Sequence, residues 1–257
     1  MTKIHPTAIV NPKAQIGKNC IIGPFCIVHE NVKMGDNNEL VSSVVIDGPT
    51  TIGNGNKFFH SAVIGTDCQD LKYNGEPTQL IIGNNNTFRE FCTINRSATM
   101  VEPTQIGDNC LFMAYSHVAH NCILGSNLII ANAVNFAGHI HVHDNVIIGG
   151  MVALHQFVKI GTYAFIVGKS GIKKDIPPYT RGEGFPYKVM GLNSVGLQRR
   201  GFTNESIKSI KDVYKLFYKS GLNTSQAMEK ALAIPDLTKE QKVFLDFVKD
   251  SDRGITK

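Results

Sequence analysis

Apolar residues recur at every sixth position of the chain from Ile4 to Ile172. The series has 29 positions, and 27 of them are apolar; the exceptions are Asp70 and Glu76. An α-helix has a period of 3.6 residues and a half-buried strand a period of 2, so neither keeps this phase over such a distance. A fixed short period of this kind predicts a solenoid built from hexapeptide repeats.

Three hexapeptides per coil give a triangular parallel β-helix with 18 residues in each turn. The stretch is rich in β-branched residues together with Gly, Asn and Asp, which suits short strands joined by tight turns. With coils about 4.8 Å apart, some nine coils make a prism roughly 45 Å long. A single coil cannot bury its apolar face, and stacking supplies the core. We therefore predict a mainly β fold.

Interruptions of the pattern predict where loops and domain boundaries lie. Residues 65–80 leave the repeat and rejoin it in phase, so they form an insertion of whole hexapeptide length; residues 95–104 also read as a loop. The prism ends at Pro177 and Pro178, because consecutive prolines cannot join a strand ladder. We therefore divide the chain into a β-helix domain, residues 1–178, and a C-terminal helical domain, residues 179–257.

The predicted helical domain shows two helix signals. Residues 204–219 carry apolar side chains at helical spacing. Residues 238–241 read TKEQ, a capping box that starts a last helix.

Composition narrows the classes of function. The chain has no secretory leader pattern and no apolar run of membrane-spanning length, so we expect a soluble cytoplasmic protein that does not insert into membranes. The net charge of +5 is modest, although basic residues crowd the C-terminal part. A solvated helix face and an anionic partner explain that crowding equally well. No nucleic-acid-binding motif accompanies the charges, so a nucleic-acid partner is not expected.

The six cysteines do not read as a disulfide set. All of them occupy one phase of the hexapeptide, two residues before the apolar position, namely Cys20, Cys26, Cys68, Cys92, Cys110 and Cys122. Strand alternation turns that position inward as well. They are predicted to be small core-filling residues of a cytosolic protein, where disulfides are rare.

The coil length of three hexapeptides sorts the candidate chemistry into columns. His120, Gly138 and Gln156 stack on successive coils, and Asn121, His139 and Phe157 form the column beside them. His120, His139 and His155 thus gather at one edge of the prism. Gly150 and Gly168 share another column, where missing side chains would leave a shallow groove.

Three interpretations of the histidine cluster remain open on spacing alone. Histidine is ordinary at the surface turns of a solenoid, and His141 and His143 need no other explanation. Three histidines could also hold a catalytic zinc ion. Alternatively, one imidazole could act as a general base for acyl transfer, with a glycine one coil away offering a backbone N–H to the oxyanion.

Five segments together carry a specific resemblance to a known family. They are QDLKYNGEPT (69–78), SHVAHNC (116–122), AGHIHVHD (137–144), GGMVALHQF (149–157) and GLNSVGLQRRGF (191–202). They closely resemble the UDP-N-acetylglucosamine 3-O-acyltransferases, hexapeptide-repeat enzymes that begin lipid A synthesis. The resemblance covers essentially the whole chain and implies the left-handed form of the β-helix, although parallel crossovers are otherwise right-handed.

The resemblance implies a role for particular residues. His120 matches the general base that activates the sugar 3-hydroxyl, and Gly138 matches the position whose N–H faces the oxyanion. Gly168 matches the position that limits acyl length, and a glycine there implies a long 3-hydroxyacyl chain. The remaining matches are substrate-contacting positions: Asp70, Lys72, His117, His139, His155, Gln156, Asn193, Arg199 and Arg200.

Three positions depart from the family pattern. Asn121 follows the base where an aspartate is expected, and an amide cannot stabilise an imidazolium as a carboxylate does. Val195 stands where an acidic residue is common, and Asn95 where a histidine is common. A slower or pH-shifted reaction and altered nucleotide contacts are therefore expected.

On the resemblance we expect transfer of an (R)-3-hydroxyacyl group from acyl carrier protein to the 3-hydroxyl of UDP-N-acetylglucosamine, with no metal or organic cofactor. An open prism edge cannot enclose two substrates, so we expect a homotrimer with sites between subunits. The acidic carrier protein would dock on the basic C-terminal surface. The alternatives are a UDP 3-amino sugar acceptor, a zinc hydratase, and a non-catalytic carrier-protein-binding module.

Overall fold

Short strands recur every six residues in a computed structural model, which describes the whole chain, residues 1–257. The strands, β1 to β28 in chain order, are Lys3–Ile4, Ile9–Val10, Gln15–Ile16, Ile21–Ile22, Ile27–Val28, Val32–Met34, Glu39–Leu40, Val45–Ile46, Thr50–Ile52, Lys57–Phe58, Val63–Thr66, Leu80–Ile82, Thr87–Phe88, Thr93–Asn95, Thr104–Ile106, Leu111–Phe112, His117–Val118, Ile123–Leu124, Ile129–Ile130, Asn135–Phe136, His141–Val142, Ile147–Ile148, Ala153–Leu154, Lys159–Ile160, Phe165–Ile166, Gly171–Ile172, Thr180–Glu183 and Lys188–Leu192.

Every third strand belongs to the same sheet, which makes three parallel faces. The first sheet runs β1-β4-β7-β10-β13-β16-β19-β22-β25 and continues into β27 and β28. The second sheet runs from β2 to β26 and the third from β3 to β24 in the same manner. Equivalent positions of successive coils pair in parallel register, as Ile4 does with Ile22. The predicted parallel β-helix is therefore confirmed.

The interior of the prism is one continuous cluster of apolar side chains from the strands and from the turns between them. The rings of Phe58, Phe88 and Phe112 stack on successive coils with centroids 5.0 Å apart, so the period of the sequence becomes a continuous core. All six cysteines are buried free thiols, and five of them lie in this core. Cys68 is buried in the first insertion instead.

Asparagine at the prism edges reflects the geometry of the turns. One residue in many of the turns has a positive φ, as at Asn19, Asn37, Asn109 and Asn127. Asparagine tolerates this left-handed conformation better than other residues with a side chain. The Asn-rich repeat is therefore a consequence of turning the chain every six residues.

Both interruptions of the repeat are loops of whole hexapeptide length. Ile52 pairs with Ile82, whereas an uninterrupted coil would pair it with Asp70. In the same way Ile82 pairs with Ile106 and not with Met100. The loops therefore insert two hexapeptides and one, as the preserved phase predicts. Met100 keeps the phase only by coincidence, because 60% of its surface is exposed.

The coils end where the prolines predict, but the first sheet goes further. Ile176 still bridges to Ile160, after which Pro177 and Pro178 stop the ladder. Strand β27 then pairs in parallel with β25, and β28 turns back antiparallel to it. Because the sheet crosses residue 178, the two-domain division stays a prediction.

Four helices follow the sheet and pack around a second apolar cluster. They are α1 (Ser194–Arg199), α2 (Asn204–Tyr218), α3 (Thr224–Leu232) and α4 (Lys239–Lys249). The helix predicted over residues 204–219 is confirmed, as is the capping box of Thr238 and Gln241 at the start of α4. None of the four has the length and apolar character needed to cross a membrane.

Candidate active site

One edge of the prism, between the second and third sheets, gathers most of the candidate residues. We call it the site edge and define it by the turns at residues 119–122, 137–140 and 155–158. The two insertions leave from the same edge, since each follows a strand of the second sheet and precedes one of the third. The sequence therefore places both loops beside the histidine turns.

His120 is held at the site edge by its neighbour in the chain. Its side chain is buried, with 8% of the residue exposed. Its Nδ1 lies 3.0 Å from Oδ1 of Asn121. The orientation of the Asn121 amide decides which partner carries the proton.

The Asn121 amide is fixed by partners on the second insertion. Its Oδ1 accepts the backbone N–H of Ala98 at 2.9 Å, and its Nδ2 donates to the carbonyl of Glu102 at 3.1 Å and to Oγ1 of Thr99 at 3.2 Å. A carbonyl can only accept, so the amide cannot be flipped. His120 Nδ1 is therefore the donor, and Nε2 is left with a free lone pair.

Gly138 lies directly over that lone pair, one coil above. A Cβ built on this glycine would lie 2.5 Å from Cε1 and 2.6 Å from Nε2 of His120. The backbone N–H of Gly138 donates to no acceptor in the chain. Any side chain here would displace the ring, so the close approach requires glycine.

The first insertion brings a carboxylate to the same point. Oδ2 of Asp70 lies 4.0 Å from Nε2 of His120. The other oxygen, Oδ1, accepts the backbone N–H of Lys72 at 2.9 Å, which shapes the turn. The Lys72 side chain is exposed beside it. Asp70 thus reaches the site edge although it lies far from His120 in the chain, and Lys72 belongs to the same turn.

Two further histidines flank His120, and the pKa of each is lowered. The His139 ring meets His120 edge-on, with centroids 5.1 Å apart, and stacks on Phe157 at 4.7 Å. Burial lowers the pKa of His139, and protonation of the nearby His120 would lower it further. On the second sheet, His117 pairs through Nδ1 with Oγ1 of Thr93 at 2.8 Å, and burial lowers its pKa. Neutral rings can donate and accept hydrogen bonds to a substrate.

An apolar depression of about 450 Å³ opens beside Gly138 on the face of the second sheet. His155 and Gln156 stand at its border, and the exposed ring of Phe185 closes its far end. The lining residues are Ala137, Ala153, Leu154, His155, Gln156, Gly171, Ile172, Lys173 and Phe185. Phe185 can lie flat there because Gly171 has no side chain.

The residues matched to nucleotide binding lie elsewhere in the chain. Asn193 and Arg199 line a separate depression of about 600 Å³, whose other walls include Ile147 and Phe165 of the first sheet. Arg200 instead donates to Oδ1 of Asn145 at 3.2 Å, on the edge between the third and first sheets. In a triangular prism the first sheet is opposite the site edge. One chain therefore does not bring these residues to His120.

Gly168 lies at the edge between the first and second sheets. It does not line the depression beside Gly138. A Cβ on Gly168 would lie 2.8 Å from the carbonyl oxygen of Gly150, so close stacking of two coils already favours glycine. The shared column of Gly150 and Gly168 is thus a place of backbone contact.

The two remaining departures from the family pattern have different surroundings. Asn95 is buried and donates through Nδ2 to the carbonyl of Asp67 at 2.6 Å, so it supports the first insertion from below. Val195 is exposed at the depression that holds Arg199. As for the zinc interpretation, no three or more His, Cys, Asp or Glu side chains are arranged to hold a metal ion within one chain.

Sequence reasoning missed Arg96 and Phe185. Arg96 is buried under the first insertion, and Phe185 is the exposed tip of the β27–β28 hairpin. A charged residue directly after strand β14, at the start of an irregular stretch, was a usable signal for Arg96. Nothing in the hexapeptide pattern points to Phe185, because the hairpin lies beyond the repeat.

The arrangement suits transfer of an acyl group to a hydroxyl. A free Nε2 lone pair can take a proton from a hydroxyl, and Asn121 holds the ring in the tautomer that this requires. An unengaged backbone N–H beside it can bind a developing oxyanion. The neighbouring apolar depression can receive the chain of an acyl group.

Comparisons with known families agree with this chemistry. The family model described as "Udp N-acetylglucosamine O-acyltransferase; Domain 2" matches residues 175–256. The model for the bacterial transferase hexapeptide matches residues 13–48 and 103–138. An acyl-[acyl-carrier-protein]–UDP-N-acetylglucosamine O-acyltransferase from Thermodesulfovibrio yellowstonii is 45% identical over 256 residues, which is 99% of both chains.

Solved structures give the same result. A UDP-N-acetylglucosamine acyltransferase from Bacteroides fragilis superposes with a TM-score of 0.97 at 42% identity, covering 99% of this chain and 100% of that one. The corresponding enzyme of Francisella novicida gives 0.95 at 38% identity, with 98% and 93% covered. The likeness extends over the β-helix and the helices together.

Proposed function

Since the chain belongs to the acyl-[acyl-carrier-protein]–UDP-N-acetylglucosamine O-acyltransferase family, we propose that acyl transfer takes place at His120 on the site edge. The protein is an O-acyltransferase that moves an acyl group from acyl carrier protein onto UDP-N-acetylglucosamine, the first step of lipid A synthesis. The observation that carries the residue assignment is the approach of Gly138 to the free Nε2 of His120.

The proposed reaction is a direct attack of the sugar 3-hydroxyl on the thioester. Nε2 of His120 takes the hydroxyl proton as the oxygen forms a bond to the thioester carbon. The oxyanion is bound by the N–H of Gly138. When the C–S bond breaks, the imidazolium returns its proton to the carrier's sulfur. Asn121 keeps Nδ1 protonated throughout by accepting its hydrogen bond.

The substrates are proposed to lie on either side of the base. The 3-hydroxyacyl chain would occupy the depression from Ala137 to Phe185, whose lining is mostly apolar. The (R)-3-hydroxyl would meet the polar border at His155 and Gln156. Asp70, Lys72, His117 and His139 surround the sugar side. Gly168 does not line this depression in one chain, so the proposal that a glycine there permits a long acyl chain rests on the resemblance. Turnover across acyl lengths tests it, and preference for short donors would overturn it.

The assembly is proposed to be a cyclic homotrimer. Asn193 and Arg199 lie on the first-sheet face, away from His120 in the same chain. If the first-sheet face of one subunit packs against the site edge of the next, the residues matched to nucleotide binding lie close to His120 of the neighbouring subunit. Guanidinium groups such as those of Arg199 and Arg200 suit a diphosphate.

Mixed assemblies test the trimer. His120→Ala and Arg199→Ala should each be inactive alone, while co-expressed chains should recover activity, because some clefts then pair an intact histidine edge with an intact arginine face. The native mass should be three times the 28.2 kDa of the chain. An active monomer, or no recovery in a mixed assembly, would refute the proposal.

The carrier protein is proposed to dock on the basic C-terminal surface, where Arg199, Arg200 and the exposed Lys208 lie. Reversing these three charges should raise the carrier-protein KM steeply. We place the reaction in the cytoplasm, an environment that keeps the six buried thiols reduced.

The decisive experiment incubates the protein with UDP-N-acetylglucosamine and 3-hydroxyacyl carrier proteins of several lengths, and follows the product by mass. We expect a sugar nucleotide heavier by one acyl group, and turnover about 10²- to 10⁴-fold lower in His120→Ala. His143→Ala is the matched control and should retain turnover, because His143 lies at the edge between the third and first sheets. Turnover only with a 3-amino sugar nucleotide, or an active His120→Ala enzyme, would contradict the assignment.

A further inference from the structure

Arg96 is a buried cation whose contacts all lead to the base of the first insertion. Only 6% of the residue is exposed. Its Nη1 donates to the carbonyl of Gly65, where the insertion leaves the coil, and lies 3.6 Å from Oδ2 of Asp47. Its Nη2 donates to Oδ1 of Asp67, and also to the hydroxyl of Tyr73 at 3.2 Å. One guanidinium thus joins the start and the middle of the loop.

The burial of Arg96 excludes direct contact with a substrate. Its guanidinium is enclosed by the loop, so it cannot meet a diphosphate arriving from solvent. A buried ion pair is also a weak source of stability, since desolvation offsets much of the attraction. The Nε of Arg96 is buried without any hydrogen-bond partner, which is a further penalty. The contacts are therefore better explained by geometry than by stability.

The loop held by Arg96 carries the carboxylate that reaches the base. Asp67 and Tyr73 lie three residues before and after Asp70, and both contact the same guanidinium. Asp70 in turn lies 4.0 Å from Nε2 of His120. Resting on the proposed function, we propose that Arg96 is a positioning residue: it fixes the first insertion so that Asp70 faces His120 and the sugar.

The kinetic consequence can be measured on the sugar nucleotide. Asp70 faces Nε2 of His120 from the first insertion, on the side where the sugar is proposed to lie. Losing the placement of Asp70 should therefore change kcat and KM for the sugar nucleotide in the same proportions as losing Asp70 itself.

The test is a double-mutant cycle with Arg96→Met and Asp70→Asn, using methionine to retain the volume of the side chain. Each single variant should lower kcat/KM for the sugar nucleotide about 10- to 100-fold, because small misplacements have effects of that size. The double variant should be no worse than the worse single one. Both single variants should divide their losses between kcat and KM in the same proportions, and Arg96→Lys should restore only part of the activity. Arg89→Gln, which loses an exposed pair with Glu90, is the control.

Hydrogen exchange across residues 65–79 gives a readout that does not need turnover. It should quicken in Arg96→Met while the coils above and below stay protected. If Arg96→Met does not fold, Asp67→Ala removes the acceptor of the same contact from the exposed side and should show the same pattern. An inactive wild-type protein would refute the proposed function alone. Additive losses in the cycle, or unchanged exchange of the loop, would overturn the role of Arg96.

Discussion

Two edges of the prism carry polar columns of similar spacing but opposite use. Along the edge between the third and first sheets, side chains of one coil accept the backbone N–H of the coil below. This ladder edge consists of Asp36, Asn54, Asn84, Asp108, Ser126 and Asp144, with distances of 2.6 to 3.0 Å. Each of these side chains accepts a hydrogen bond that joins two coils, so the ladder edge is structural.

The site edge uses its polar groups differently. His120 donates to the side chain of Asn121, which is hydrogen-bonded to the second insertion, and the first insertion brings Asp70 close to His120. The Nε2 of His120 and the N–H of Gly138 are left unengaged by hydrogen bonds. Spacing alone therefore does not distinguish the two edges: a polar column in a solenoid indicates function when its hydrogen bonds run to loops and leave other polar groups free.

Replacing one glycine by alanine at each edge should give the largest effects, a loss of turnover at the site edge and a loss of stability at the ladder edge. In Gly138→Ala the new Cβ would lie 2.5 Å from Cε1 of His120, so the ring must move. We expect kcat to fall about 100-fold, the size of loss that a displaced catalytic group causes. Steady-state kinetics with saturating substrates measures it, and a melting curve should show little change.

The matched variant Gly107→Ala meets the next coil of the ladder edge instead. Its Cβ would lie 2.5 Å from Oγ of Ser126 and 2.8 Å from the backbone of Gly125, so two coils must separate. Overpacking of this kind is expected to lower the free energy of unfolding by about 1–3 kcal/mol, with kcat of the folded enzyme unchanged. If both variants lost kcat equally, the distinction between the edges would fail.

The sequence predicts the coils and the columns because both are local. The period of six follows from one inward apolar residue per strand, and a coil of three hexapeptides brings His120 under Gly138. Predictions fail where geometry is not local. Met100 keeps the phase yet is exposed, because a loop of one hexapeptide does not disturb the count. Arg96 becomes important only once residues 65–79 fold back over it.

Other expectations could not be decided from spacing. The columns of the repeat say nothing about which face of the prism Asn193 and Arg199 occupy, since these residues lie beyond it. The glycine column of Gly150 and Gly168 has close backbone contact, and the groove that missing side chains suggested stays a prediction. The site assignments therefore remain proposals, resting on geometry for His120 and Gly138 and on resemblance for the distant residues.

Replacing an amide by a carboxylate at each edge should change the pH dependence of turnover only at the site edge. In Asn121→Asp the carboxylate would favour the protonated imidazole, so the acid limb of kcat/KM should move to higher pH by about one unit. Activity on that limb would then fall about tenfold. The variant also loses the bond to the Glu102 carbonyl, at about 1–3 kcal/mol of stability.

Asn56→Asp supplies the corresponding change at the ladder edge. Asn56 is buried and donates through Nδ2 to the carbonyl of Gly83 at 3.0 Å. A carboxylate facing that carbonyl should destabilise the fold without moving the acid limb. A pH–rate profile and a urea titration of both variants measure the acid limb of kcat/KM and the free energy of unfolding. An acid limb that does not move in Asn121→Asp would contradict the role given to Asn121.

The smallest effect concerns two histidines outside the site edge, and it appears in stability instead of turnover. Burial lowers the pKa of His141 and of His143, whose ring packs edge-on against Phe247 of α4. Below about pH 6.5 the unfolded chain therefore binds more protons than the folded one, so stability falls as the pH is lowered. The melting temperature should drop by a few degrees between pH 7.5 and 5.5, and by less in the variant carrying both His141→Gln and His143→Gln. Turnover of that variant at pH 7.5 should equal that of the unmodified protein, because neither ring touches His120. An equal drop in both proteins would assign the acid sensitivity to the site edge and weaken the contrast between the two edges.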